Sequence, residues 1–210
     1  MDDVLAILKE AGAIVEGHFI GISGRHLSVY VNKDAWLPRT DLVSKVCRMI
    51  AESNAENGIE AVVGPAVGGI PLSQWTAHHL SQLTGKTVLS LFTEKTQDDG
   101  QAFSSRRGYD KLVKGKRVLA VEDTVTTGGS VMKSLNAIRE AGGELIHLTI
   151  IVNRDPAHIN SELFGVAMNA LAELPSESYA EEELPEWLKQ IPVNTVLGHG
   201  AKYMKEHSQP

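Results

Sequence analysis

One cysteine, Cys47, stands alone in 210 residues, so no disulfide can form within the chain. No apolar run approaches the roughly 18 residues that a membrane-crossing helix needs. The N-terminus, Met1-Asp2-Asp3-Val4-Leu5, is acidic where a secretory signal is basic. Basic charge is also in deficit: 20 Lys and Arg against 26 Asp and Glu give a net charge of -6, and no basic stripe suits a nucleic-acid duplex. Lys111, Lys114, Lys116 and Arg117 do cluster, but as a solvated turn ahead of a strand. Two phosphate motifs fail. No Gly-x-Gly-x-x-Gly follows an expected strand, and Gly85-Lys86-Thr87 copies only the end of a Gly-x-x-x-x-Gly-Lys-Thr loop, since position 80 is Leu and the stretch enters a strand. No internal repeat is visible. These absences predict a protein of the reducing cytoplasm that binds neither membrane nor nucleic acid, with length for one well-buried α/β domain.

The run Val118-Leu119-Ala120-Val121-Glu122-Asp123-Thr124-Val125-Thr126-Thr127-Gly128-Gly129-Ser130 is the most informative feature present. Four apolar residues predict a strand buried on both faces, and Ser130 to Glu140, with Val131, Leu135 and Ile138 apolar, predicts an amphipathic helix. The loop between them sits at a helix start, where unpaired backbone N–H groups and the helix dipole attract an anion and two glycines let it approach closely. A lone Thr or Ser here would be read as a helix cap. A cap requires neither four hydroxyls nor two adjacent carboxylates at a strand's carboxyl end, which is where ligands bind in open α/β sheets. The run reads as a site for a phosphorylated sugar.

Around it, strands and helices alternate. A helix over residues 2–11 and short strands from Ile14 to Val31 form an N-terminal appendage. A helix from Thr40 to Asn57, strand Ala61-Val62-Val63, a second helix ending near Leu83, strand Val88 to Phe92 and strand Leu145 to Val152 follow. The pattern predicts a mainly parallel sheet covered on both faces. Cys47 falls in the apolar pattern of Leu42, Val43, Val46, Met49 and Ile50, which makes it a core residue rather than a nucleophile. Gly64-Pro65-Ala66-Val67-Gly68-Gly69-Ile70-Pro71 is a second candidate anion loop, since it too follows a buried strand and opens a helix; its glycines could equally serve close helix packing. Residues 94–110 lack periodicity and predict a long loop, either a lid or a surface excursion. Arg154, after the last strand, either clamps a carboxylate or carbonyl or pairs with Asp155. Residues 174–186, acidic and carrying Pro175 and Pro185, read as a mobile connection, and Pro192 to His207 as a strand and short helix folding back.

The thirteen-residue run resembles the signature of the type I phosphoribosyltransferases, in which such a loop holds 5-phosphoribosyl 1-diphosphate (PRPP). The resemblance implies that family's mainly parallel α/β sheet flanked by helices, with a small hood at 1–39, a core at 40–173 and a C-terminal extension at 174–210. It implies that Thr124, Val125, Thr126, Thr127, Gly128, Gly129 and Ser130 grip the ribose 5-phosphate and that Glu122 and Asp123 lie beside the ribose hydroxyls. It gives the pyrophosphate to Pro65, Ala66, Val67, Gly68 and Gly69, with Ala66-Val67 at the position of a cis peptide common in the family. Gly17-His18-Phe19 and Ser23-Gly24-Arg25-His26 are similar to the start of orotate phosphoribosyltransferases, which implies base contacts from Phe19, His26 and Arg154. The chain departs from that group at Gly68 and His26, where lysines are common, and at the acidic Gln97-Asp98-Asp99-Gly100, where the lid usually has lysines and a His. An acidic tip repels pyrophosphate, which leaves Lys95, Arg106 and Arg107 as catalytic cations of the lid. The implied reaction is transfer of phosphoribose from PRPP to orotate, releasing pyrophosphate, with Mg2+ held through substrate and water rather than by a dedicated protein cage, in a homodimer. Transfer to a purine or another base, and a regulatory PRPP-binding protein without catalysis, are the other readings of the same residues.

Overall fold

The computed structural model describes residues 3–21, 23–175 and 177–207. The expected helix start at Asp2, and the portions of the hood and C-terminal extension at Met1, Ile22, Ser176 and 208–210, lie outside the described residues. The chain divides into two compact units, one of Met1–Trp36 with Pro175–Pro210 and one of Leu37–Leu174.

The first unit opens with a helix at Val4–Glu10. The Asp3 carboxylate accepts the Leu5 N–H at 2.9 Å to cap it, and Val4, Ile7 and Leu8 bury one face. Its end passes into Gly12, whose φ of 66° few other residues adopt. Ile14–Ile20 (β1) and His26–Val31 (β2) then pair antiparallel.

The second unit is built on six strands, Ala61–Pro65 (β3), Leu89–Lys95 (β4), Gln101–Ala102 (β5), Arg117–Val125 (β6), Glu144–Asn153 (β7) and Met168–Glu173 (β8), in the order β5-β4-β3-β6-β7-β8. All neighbours run parallel except β5, which turns back along β4. The α/β reading therefore holds, and the reason is local: Ala61 to Val63, Val118 to Val121 and Leu148 to Val152 are buried without interruption, as strands covered on both faces must be. On one face Val131, Leu135 and Ile138 of the Gly129–Glu140 helix pack with Ala61, Val63, Val118, Ala120, Leu148 and Ile150. On the other, Asn54 of the Thr40–Asn54 helix donates to the Thr149 hydroxyl at 3.3 Å. Cys47 is fully buried in that helix, and burial pushes its thiol up to about 12, as befits a packing residue.

The largest departures from the sequence reading fall in β6, at the sheet edge and in the 174–186 connection. Strand β6 runs on to Val125, whose side chain enters the core. Strand β8 adds a sheet edge; its residues are all half-buried or exposed, so no alternation announced it. The 174–186 connection is not loose among its described residues. Ser178–Tyr179 (β9) pairs with β2, and Arg25 donates to the Ser178 hydroxyl and carbonyl at 3.0 and 2.6 Å. Beyond it Val193 bridges to His18 and a helix forms at Gly200–His207.

Candidate active site

Two glycine loops leave the carboxyl ends of the neighbouring strands β3 and β6, and both lead directly into helices. In the first, the backbone closes on itself. A side chain at Gly64 would put its Cβ 2.4 Å from the Gly69 carbonyl oxygen, and one at Gly69 would meet the Gly64 backbone at 2.7 Å. Only glycine fits at either position. The Ala66-Val67 peptide is cis, and Val67 is 78% exposed at the crest of the loop. The Ala66 N–H donates to the Thr93 carbonyl of β4 at 2.7 Å. Pro65 continues β3 opposite Thr93, while Gly68 precedes the Gly69–Thr84 helix.

The second loop is shorter than the sequence reading drew it. Thr124 and Val125 belong to β6: Thr124 pairs with Val152, its N–H donates to the Asp123 carboxylate, and the Val125 carbonyl accepts the Arg154 N–H at 2.8 Å. Val125 is 2% exposed, so it supports the loop from below rather than lining it. Thr126 and Thr127 form the exposed turn, Gly128 takes a φ of 75°, and Gly129 and Ser130 begin the helix with their side of the chain open. A Cβ on Gly128 would touch the Phe164 ring at 3.0 Å, so the loop rests on a buried aromatic. Glu122, 8% exposed, accepts the Asp123 N–H at 3.0 Å. The two carboxylates thus lie at the carboxyl end of β6, immediately before the turn.

Residues 94–110 are not a structureless loop. Strand β4 runs through Glu94 and Lys95, a turn at 96–100 reverses the chain, and β5 pairs back, with Lys95 opposite Gln101. A turn at Ser105–Arg107 and a helix at Tyr109–Val113 follow, and Phe103 joins the core. The tip of the ribbon also meets a residue distant in the chain. Lys133, on the helix after the second loop, donates to the Asp99 carbonyl at 2.6 Å and carboxylate at 2.7 Å, a contact that no local pattern in 94–110 signals. One of the two carboxylates at the tip is thereby paired, and Lys133 holds the Asp99 carboxyl below its ordinary range. All three cations read from this stretch are exposed, and Arg107 also pairs with Glu94 at 3.2 Å and lies over the Phe92 ring.

Arg154 follows β7 and is only 6% exposed, and burial lowers the affinity of its guanidinium for the proton. The alternative reading, a surface pair with Asp155, gives way to an Asp155 pair with His158 at 2.9 Å. The two base contacts read from the hood lie in the interior of the first unit. Phe19 is fully buried against Tyr30, and His26 is 2% exposed, its Nδ1 2.7 Å from His18 Nε2 and its ring against Tyr203. Both fill the interior of the first unit, where β2 pairs antiparallel with β1.

Among the described residues no helix is long and apolar enough to cross a membrane, and no group of three or more His, Cys, Asp or Glu could hold a metal by itself.

The geometry can be set beside known proteins. The profile of the phosphoribosyl transferase domain matches residues 37–162. An orotate phosphoribosyltransferase of Bartonella tribocorum is 39% identical over 193 residues, which cover 90% of this chain and 93% of that protein. Among solved structures, the orotate phosphoribosyltransferase of Mycobacterium tuberculosis in complex with Fe(III) dicitrate superposes with a TM-score of 0.64 at 23% identity, over 82% of this chain and 97% of that one. The same enzyme in complex with PRPP gives 0.57 at 20% identity, over 82% and 89%. A domain profile spanning both glycine loops and a relative this similar over nearly its whole length lead to one assignment: the chain belongs to the phosphoribosyl transferase family.

Proposed function

We propose that this protein transfers the phosphoribosyl group of PRPP to orotate, forming orotidine 5'-monophosphate and pyrophosphate for pyrimidine nucleotide synthesis. The observation that carries the reading is the pair of glycine loops on adjacent parallel strands, with Glu122 and Asp123 at the end of one of them. One loop is suited to each phosphate end of a single sugar. Thr126, Thr127, Gly128, Gly129 and Ser130 receive the 5-phosphate at a helix start. Pro65, Ala66, Val67, Gly68 and Gly69 receive the pyrophosphate. The acceptor is taken as orotate because relatives bearing that name span nearly the whole chain, and because Arg154 offers a planar fork to a carboxylate.

The chemistry asks little covalent work of the protein. A ring nitrogen of the base displaces pyrophosphate at C1, and the ribose gains positive charge as the old bond breaks. Glu122 and Asp123 favour that charge, the loops hold nucleophile and leaving group in line, and Lys95 with Arg106 stabilises the departing pyrophosphate. Arg107, held by Glu94, supports the ribbon that carries Lys95. The carboxylates of Glu122 and Asp123 are hard oxygen donors of the kind Mg2+ takes, and would share the ion with substrate oxygens and water. When bound, Mg2+ neutralises charge on the pyrophosphate. The family resemblance extends the reading to a homodimer in a reducing cytoplasm, where the lone Cys47 remains a thiol.

The test is pyrophosphate release from PRPP and Mg2+ with a panel of bases. Turnover with orotate alone is expected. Turnover with purines alone reassigns the acceptor, and PRPP binding without turnover on any base replaces the enzyme with a PRPP-binding regulator.

A further inference from the structure

We infer that Thr93 is a positioning residue that fixes the distance between the two anion loops. Thr93 lies on β4 and is completely buried. Its backbone carbonyl accepts the Ala66 N–H at 2.7 Å, which holds the first loop just ahead of its exposed crest. Its hydroxyl lies 3.0 Å from the Ser134 hydroxyl, on the helix that begins at the second loop, and Ser134 is itself only 4% exposed. One residue thus touches the supports of both loops, through two different atoms.

A buried hydroxyl needs a reason. Valine has nearly the same shape and would fill the position without a polar group to satisfy, so a pure packing role favours it. Thr93 and Ser134 instead satisfy each other, and the bond ties the helix of one loop to the strand that anchors its neighbour. A ligand with phosphates at both ends requires that spacing to be held within a fraction of an ångström, whereas a ligand with one phosphate does not. The inference rests on the reading of the two loops as the ends of one PRPP site.

The difference between double-ended and single-ended ligands supplies the test. Binding of PRPP, ribose 5-phosphate and pyrophosphate, each with Mg2+, is measured by calorimetry on the wild-type chain and on Thr93→Val, Thr93→Ser, Ser134→Ala and the double variant Thr93→Val/Ser134→Ala, with thermal melting alongside. Thr93→Val and Ser134→Ala are expected to weaken PRPP about tenfold while the two half-ligands stay within about twofold, and Thr93→Ser to restore PRPP binding. The double variant leaves no hydroxyl unpaired, so its melting temperature recovers while its PRPP affinity does not. Equal weakening of all three ligands, unchanged PRPP binding, or recovery of PRPP affinity together with stability in the double variant each overturn the inference. If Thr93→Val fails to fold, Ser134→Ala and the double variant decide the matter. A wild-type chain that binds none of the three ligands overturns the two-loop reading itself, and the positioning role with it.

Discussion

The two glycine loops and the ribbon at 94–102 sit in the same unit and are secured by opposite means. The loops are fastened by shape: Gly64 against Gly69, Gly128 against Phe164, and Val125 in the core. The ribbon's tip is fastened by charge, with Lys133 on Asp99, each about half-exposed or more. Close packing permits one arrangement and resists any change of volume, whereas an exposed ion pair contributes about 0–1 kcal/mol and weakens with salt. The molecule thus joins a close-packed cradle to a paired ribbon whose exposed tip is held mainly by an ion pair.

Substitutions that break this contrast should differ in kind. The largest effect is expected from Asp123→Asn, which keeps the side chain's size and removes its charge; turnover should fall about a hundredfold with little change in melting temperature. Equal losses of turnover and stability would make Asp123 a folding residue. Gly64→Ala forces a Cβ to 2.4 Å from the Gly69 carbonyl oxygen, and should cost ~1–3 kcal/mol in denaturant unfolding and most PRPP binding with it. Lys95→Ala should lower kcat about tenfold while leaving stability unchanged, as stopped-flow release of pyrophosphate would reveal. Asp99→Asn should leave the melting temperature nearly unchanged, and its effect on kcat should vanish at high salt, where the wild-type ion pair is already screened.

A smaller effect concerns the first unit. Burial, and then the neighbouring His18, hold His26 below its ordinary value of 6.5, with Glu181 opposing and His207 adding to the shift; Tyr203 packs on the ring. The folded state therefore keeps His26 neutral at a pH where the unfolded chain already takes up a proton. This contribution to stability is present above 6.5 and declines as pH falls below it. Melting temperature should drop over that range, and His26→Gln should flatten the drop.

The same contrast explains what the sequence could disclose. Val118 to Ser130 was legible because everything it needs is local: an apolar strand, two carboxylates, hydroxyls, and glycines where the backbone must turn. The Ala66-Val67 cis bond was foreseen from the family's pattern and is present. What escaped depends on partners distant in the chain. The 94–110 stretch reads as a loop until Lys133, 34 residues beyond Asp99, is brought to its tip. His26 reads as a ligand contact until β1 delivers His18, whose other nitrogen meets the Ile191 carbonyl from 173 residues away. Val125 reads as part of the loop because a strand's end is set by its neighbour β7, which pairs through to Asn153.

Under the proposed function, two loops on adjacent strands receive the two phosphate ends of one sugar. Competition calorimetry against PRPP tests it most directly, using ribose 5-phosphate and pyrophosphate as displacing ligands on the wild-type chain and on Thr127→Ala. Both fragments should displace PRPP, and Thr127→Ala should weaken ribose 5-phosphate about tenfold while leaving pyrophosphate unchanged. Displacement by only one fragment, or equal weakening of both by Thr127→Ala, would contradict it.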